Sequence, residues 1–213
     1  MIAIIDYKAG NLTSVKRALD SLGQDSVITS AYDKIVGADR VIFPGVGAAG
    51  KAINDLKTSK LDIALKEAFQ AKKPFLGICL GTQVILDYSQ ENDTKCLGLV
   101  KGQVKKFPDD LRDPEERKLK VPHMGWNGVT LKKNHPLFEG VAQDSEFYFV
   151  HSYYPAPESS DRVLGETFYG FSFTSVIVSD NLVAMQFHPE KSGRPGLRIL
   201  ENFCNWSGYN NVE

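Results

Sequence analysis

Apolar positions in the first half of the chain recur in two alternating rhythms. Ile2-Ala3-Ile4-Ile5 is an unbroken apolar run, the pattern of a strand buried on both faces of a parallel sheet. Leu12, Val15, Leu19 and Leu22 then fall at helical spacing, with Asn11 placed to cap the start and Gly23 to stop the end. Val27-Ile28 and Val41-Ile42-Phe43 read as two further strands. Leu61, Ala64, Leu65, Ala68 and Phe69 mark an amphipathic helix that must end before Pro74. Residues 75–78 make the next strand, and a helix through Val84, Ile85 and Tyr88 follows it. This alternation predicts an α/β fold: an open, mostly parallel sheet flanked by helices.

The second half changes rhythm. Residues 100–107, 125–131, 147–153, 171–179 and 182–188 are strand-like, and Asp180-Asn181 sits where a hairpin would turn. Leu197, Leu200 and Phe203 place a last helix on one face. With no internal repeat, low-complexity tract or linker, the expectation is one domain over residues 1–213, an antiparallel extension grafted onto the open sheet.

Composition narrows the function. A chain of 213 residues with 25 basic and 26 acidic side chains has a net charge of -1, which gives no electrostatic reason for a nucleic-acid or membrane partner. The mixed-charge run at 109–120 reads as a solvated loop. The N-terminal apolar run is too short for a signal peptide and lacks a basic flank, and no run approaches the ~18 apolar residues of a membrane helix. Cys79, Cys96 and Cys204 are an odd count without C-x-x-C spacing, so neither a disulfide framework nor a zinc site is expected. A reducing cytoplasm, and no metal or cofactor, follow as expectations.

The chemistry concentrates at Gly77-Ile78-Cys79-Leu80-Gly81, where a buried strand must turn sharply into a helix. A G-x-S-x-G turn holds its nucleophile in a strained conformation above the sheet, and small neighbours give it clearance; here cysteine replaces serine. The helix start favours a thiolate at Cys79, and the Leu80 N–H would face an oxyanion formed on an attacked carbonyl. Against this stands the ordinary fate of a free cysteine, a small buried hydrophobe, which is how Cys96 and Cys204 read.

A cysteine nucleophile needs a base and a group that orients it. Among His123, His135, His151 and His188, the last ends the apolar run 183–187 at a sheet edge, and Glu190 follows two positions on. Pro189 biases His188 toward extended backbone, so Glu190 would share its side and the triad order would be Cys79, His188, Glu190. His135, in a polar turn, reads as a surface residue; His123 and His151 each read alone as satisfied histidines.

Two other motifs fail. Gly45-Val46-Gly47-Ala48-Ala49-Gly50 matches the dinucleotide fingerprint G-x-G-x-x-G, but it follows the third strand, and Asp62 and Glu67 downstream fall on a helix rather than at a strand end. His188-Pro189-Glu190 has the H-x-E of zinc deaminases without the P-C-x-x-C that must follow.

Over essentially the whole chain the sequence resembles the class I glutamine amidotransferases, and within them the glutaminase subunits of imidazole glycerol phosphate synthases. The resemblance is carried by residues 6–11 (Asp-Tyr-Lys-Ala-Gly-Asn), the Pro44-Gly45-Val46-Gly47 loop, the cysteine elbow with Thr82 and Gln83, residues 122–127 (Pro-His-Met-Gly-Trp-Asn), 147–153 and 186–191. It implies that Cys79 forms a thioester with glutamine while His188, oriented by Glu190, relays protons. It implies an oxyanion hole from Leu80 and, after the loop rearranges, Val46. Gly47, Gln83, Glu91, His151, Ser152 and Tyr153 match positions that hold glutamine; Asn11, Trp126, Tyr148 and Lys191 match the partner interface and ammonia gate. The implied partner is a (β/α)8 barrel cyclase forming a heterodimer, with glutamine turnover coupled to ligand binding in the barrel. Thr82, Ala49 and Lys8 depart from residues common in the family. Two alternatives remain open at this stage: the same chemistry serving another barrel, and a dead binding module on the same fold.

Overall fold

Once buried, an apolar strand must pair its backbone on both edges, and β1 (Ile2–Ile5) does so, running parallel to β2 (Ser26–Thr29) and to β3 (Arg40–Gly45). The structure is a computed structural model and describes residues 1–8 and 10–209; Ala9, inside the resemblance-bearing segment 6–11, lies outside the described residues. Helices α1 (Leu12–Ser21), α2 (Tyr32–Gly37), α3 (Ala49–Thr58) and α4 (Leu61–Gln70) join these strands to β4 (Phe75–Cys79), which leads directly into the short α5 (Leu80–Val84). Strands β5 (Tyr88–Ser89), β6 (Thr94–Lys95), β7 (Gly102–Lys106), β8 (His123–Gly128) and β9 (Thr130–Leu131) follow. The chain closes with β10 (Glu146–His151), β11 (Tyr153–Pro157), β12 (Val163–Tyr169), β13 (Phe171–Ser179), β14 (Leu182–Met185) and α6 (Gly193–Asn205).

The main sheet has the order β2-β1-β3-β4-β14-β13-β12-β9, parallel from β2 to β14 and antiparallel beyond. Period-two alternation sorts its side chains into two cores: Ile2 and Ile4 pack with Val15, Leu19 and Phe203 on one face, while Ala3 and Ile5 pack with Ile35, Leu56 and Leu65 on the other. An antiparallel β8–β10 ribbon and a four-stranded β11-β7-β5-β6 sheet form the extension, which is not wholly antiparallel as expected, since β5 runs parallel to β7. No helix of the described residues is long and apolar enough to cross a membrane.

Several local expectations need correction. The helix after Cys79 stops at Val84, because the carbonyls of Val84, Ile85 and Leu86 accept from the backbone of residues 97–100 instead of from a next helical turn; Tyr88 is in a strand. The run 147–153 divides at Ser152, where the chain leaves its pairing with β8 for one with β7. Strand β14 ends at Met185, three residues short of His188. Asn11 holds the N-cap position of α1 at φ 72° without a capping bond, its side chain being used elsewhere. His135 is buried: its Nδ1 accepts from the Leu137 N–H at 3.2 Å and its ring meets Trp206. The hairpin at Asp180-Asn181 and the last helix fall where the pattern puts them.

Candidate active site

The parallel strands β3, β4 and β14 end on one edge, where loops of open α/β sheets gather ligands. Cys79 stands there at φ 53°, ψ -108°, a conformation that a non-glycine residue holds only under constraint. The constraint is visible in its neighbours. A Cβ on Gly81 would stand 1.8 Å from the Phe43 carbonyl oxygen, and one on Gly77 would stand 2.9 Å from the Ala184 Cβ. Thr82 donates to the Met185 carbonyl at 2.6 Å, tying α5 to β14. Sequence, sterics and strand order therefore agree on an elbow with cysteine at its tip.

His188 lies beyond β14, fixed by its N–H donating to the Tyr148 carbonyl at 2.9 Å. Its Nδ1 donates to Glu190 Oε1 at 2.8 Å. The pairing arises from a 3-10 turn at Pro189–Lys191, stapled by Ser192 Oγ donating to the His188 carbonyl at 2.6 Å, rather than from an extended i, i+2 alternation. Both side chains are essentially inaccessible, and Asn11 donates a second bond to Glu190 Oε1. Asn11 thus braces the carboxylate. Nε2 of His188 is buried and makes no hydrogen bond of normal geometry. Burial, the largest single influence, pulls the imidazole down, but the Cys79 sulfur and the Glu190 carboxylate together outweigh it and lift it to about 9.

A cleft of about 430 Å³ opens in front of Cys79. Val46, Gly47 and Leu80 line one side; Gln83, Glu91, His151, Ser152 and Tyr153 line the rest, with Pro122 and Val150. Every residue matched to glutamine binding or the oxyanion hole therefore borders one cavity. Among the described residues that line it Glu91 is the only carboxylate, and its Oε2 accepts the Ala49 N–H at 2.7 Å. Gly47 takes φ 102°, while Val46 is not among the residues with left-handed φ.

The strand register of the β8–β10 ribbon puts Trp126 opposite Tyr148 and Met124 opposite Val150. Trp126 and Met124 are exposed; Lys191 Nζ sits 5.9 Å from the Tyr148 ring, whose centroid is 6.4 Å from that of His188. Trp126, Tyr148 and Lys191 are thus neighbours beside the histidine.

Sequence reasoning missed four polar participants. Gln186 is fully buried and directs its amide nitrogen at Cys79 Sγ, 3.8 Å away; its only signal is a glutamine closing an apolar run. Tyr7 is buried with its hydroxyl unpaired, 1.8 Å from where a Gly45 Cβ would be. Ser192 staples the histidine turn. Asn127 joins His123, whose Nδ1 is 2.9 Å from His151 Nε2. Burial depresses both histidines, His123 to about 4 and His151 to about 3. Burial likewise pushes the Cys96 and Cys204 thiols up, to about 12 and 11. Among the described residues no cluster of His, Cys, Asp or Glu is placed to hold a metal.

Residues 3–206 match the glutamine amidotransferase class-I family. The chain is 55% identical over 203 residues to "Imidazole glycerol phosphate synthase subunit HisH" of Nitratidesulfovibrio vulgaris (strain DSM 19637 / Miyazaki F), covering 95% of each. It is 48% identical over 210 residues to the protein of the same name in Neisseria meningitidis serogroup B, covering 96% of this chain and 99% of that one. Among solved structures, the fold resembles PurLQS from Thermotoga maritima with TM-score 0.72 at 16% identity, covering 96% and 97%. It also resembles the glutaminase domain of CTPS from Trypanosoma brucei with TM-score 0.66 at 15% identity, covering 99% and 97%.

Proposed function

The chain belongs to the class-I glutamine amidotransferases, and from that premise we propose that it is the glutaminase subunit of an imidazole glycerol phosphate synthase. It hydrolyses glutamine and passes ammonia to a cyclase partner in histidine biosynthesis. The observation that carries the reading is the strained Cys79 elbow, backed by the His188–Glu190 pair and faced by the cleft.

The chemistry follows from these positions. Cys79 sulfur attacks the carboxamide carbon of glutamine, forming a C–S bond and an oxyanion. The Leu80 N–H receives that oxygen, joined by the Val46 N–H once the Pro44–Gly47 loop rearranges. Imidazolium His188 gives its proton to the amide nitrogen as the C–N bond breaks, and ammonia leaves. Neutral His188 then takes a proton from water as it attacks the thioester; glutamate departs and Cys79 is restored. Glu91, a carboxylate on the cleft wall, pairs with the substrate ammonium, while Gly47, Gln83 and residues 151–153 shape its walls.

Turning the Val46 N–H into the cleft carries its φ toward the left-handed region, at a cost of about 1–3 kcal/mol. Contact with a (β/α)8 barrel supplies that energy, so the isolated chain is nearly inactive. Trp126, Tyr148 and Lys191 meet the barrel and border the ammonia exit. The test is glutaminase activity of the chain with a cyclase barrel, with and without the barrel's ligand, beside Cys79→Ala. Activity that requires the barrel, rises with ligand and vanishes in the variant supports the reading. Vigorous turnover by the chain alone overturns the partner dependence.

A further inference from the structure

Beneath the cleft, buried side chains form a hydrogen-bonded line ending on the nucleophile, and each donor direction in it is forced. The Tyr153 carbonyl can only accept. It takes His151 Nδ1–H at 2.8 Å and Gln83 Nε2–H at 3.0 Å. His151 is neutral, so its Nε2 is bare and accepts from His123 Nδ1–H. His123 is neutral too, and its Nε2 accepts from Asn127 at 3.2 Å.

On the other side, the second proton of Gln83 Nε2 goes to Gln186 at 3.0 Å, so the atom of Gln186 found there is its oxygen. The Gln186 nitrogen must then face Cys79 Sγ at 3.8 Å. Gln186 itself has no freedom to turn over, because Gln83 is already held by a backbone carbonyl.

We propose that Gln186 is a positioning residue for the nucleophile, its amide locked by Gln83 and Tyr153 so that an N–H, never the carbonyl oxygen, is presented to the Cys79 sulfur. The role rests on Cys79 being the nucleophile. An N–H donor favours negative sulfur, whereas an amide oxygen would disfavour it. The other titratable groups acting on the sulfur site are His188, Glu190 behind it, and Tyr7; none is altered by changing Gln186.

The experiment is the pH profile of Cys79 alkylation by iodoacetamide in the full chain, followed by peptide mass spectrometry that separates Cys79 from Cys96 and Cys204. In Gln186→Leu the profile shifts upward by about half to one pH unit in a variant that still folds, though it melts lower for the Gln83 N–H left without its acceptor. A superimposable profile in a folded variant overturns the proposal. Should Gln186→Leu fail to fold, Gln83→Met decides: it releases the Gln186 amide and must shift the profile in the same direction. Wild-type Cys79 reacting no faster than buried Cys96 would instead overturn the nucleophile assignment itself.

Discussion

At Cys79 the backbone is bent to φ 53° because nothing around it can yield: the flanking glycines fit where any Cβ would collide with a strand. The two glycines differ in how hard that limit is. A methyl on Gly77 meets the Ala184 Cβ at 2.9 Å, whereas on Gly81 it meets the Phe43 carbonyl oxygen at 1.8 Å, a much deeper overlap with an atom that, like the Ala184 Cβ, moves only with its strand. Gly81→Ala should therefore cost more stability than Gly77→Ala, by about 1–3 kcal/mol, in urea unfolding. Lys8 presents the converse case. It sits at φ 69°, where a side chain costs about 1–2 kcal/mol and glycine nothing, against the roughly 0.5–1 kcal/mol of chain entropy that glycine adds. The bond from the Lys8 N–H to Asp6 Oδ1 belongs to the backbone and survives replacement. Lys8→Gly should stabilise the chain by roughly 0.5–1 kcal/mol; a loss in the same assay would mean that the lysine side chain makes up for its strain.

Between elements, the β8–β10 ribbon carries the buried histidine pair, and its stability must respond to acid. His123 and His151 have folded values near 4 and 3, below the ordinary 6.5, so they stabilise the fold above pH 6.5 and lose that contribution as pH falls through their folded values. Each costs up to about 1.4 kcal/mol per pH unit on the descent. His188, lifted to about 9, has the opposite sign: its contribution is complete below 6.5 and is lost as pH rises through 9. Melts between about pH 7 and 4.5 should show a fall that is shallower in His123→Gln, whose replacement takes up no proton. This pair also marks the limit of what the sequence carries. The β1, β3 and β4 strands, α4, the elbow and the His188–Glu190 pair were legible because each is written in local pattern: apolar runs, helical spacing, paired glycines, His-Pro-Glu. The contacts of His123 with His151, of Gln83 with Gln186 and of Asn11 with Glu190 span 28, 103 and 179 positions, and no local pattern encodes them. The helix stop at Val84 was hidden for the same reason, since residues 97–100 supply the backbone that ends it.

For the whole molecule, the proposed function puts catalysis and assembly on one edge of the sheet, with different chemistry for each. The cleft sets Cys79, Gln83, Glu91 and Ser152 among apolar walls such as Val46, Leu80 and Val150, whereas the ribbon beside it exposes Met124 and Trp126 at 61% and 54%, apolar area that folding alone leaves in water. With a net charge of -1, the chain has no strong field to steer a partner, so association must rest chiefly on that apolar face. Tryptophan anchors tend to dominate such contacts, commonly at about 2 kcal/mol or more, which is roughly thirtyfold in affinity. Trp126→Ala should therefore weaken binding to the cyclase barrel by about that factor, with little dependence on salt, in calorimetric titration. Its indole packs on the Tyr148 ring, on the exposed ribbon, so alkylation of Cys79 in the free chain should follow the wild-type pH profile. A changed alkylation profile would mean that Trp126 shapes the nucleophile before any partner arrives, and the separation of assembly from chemistry on this edge would fail.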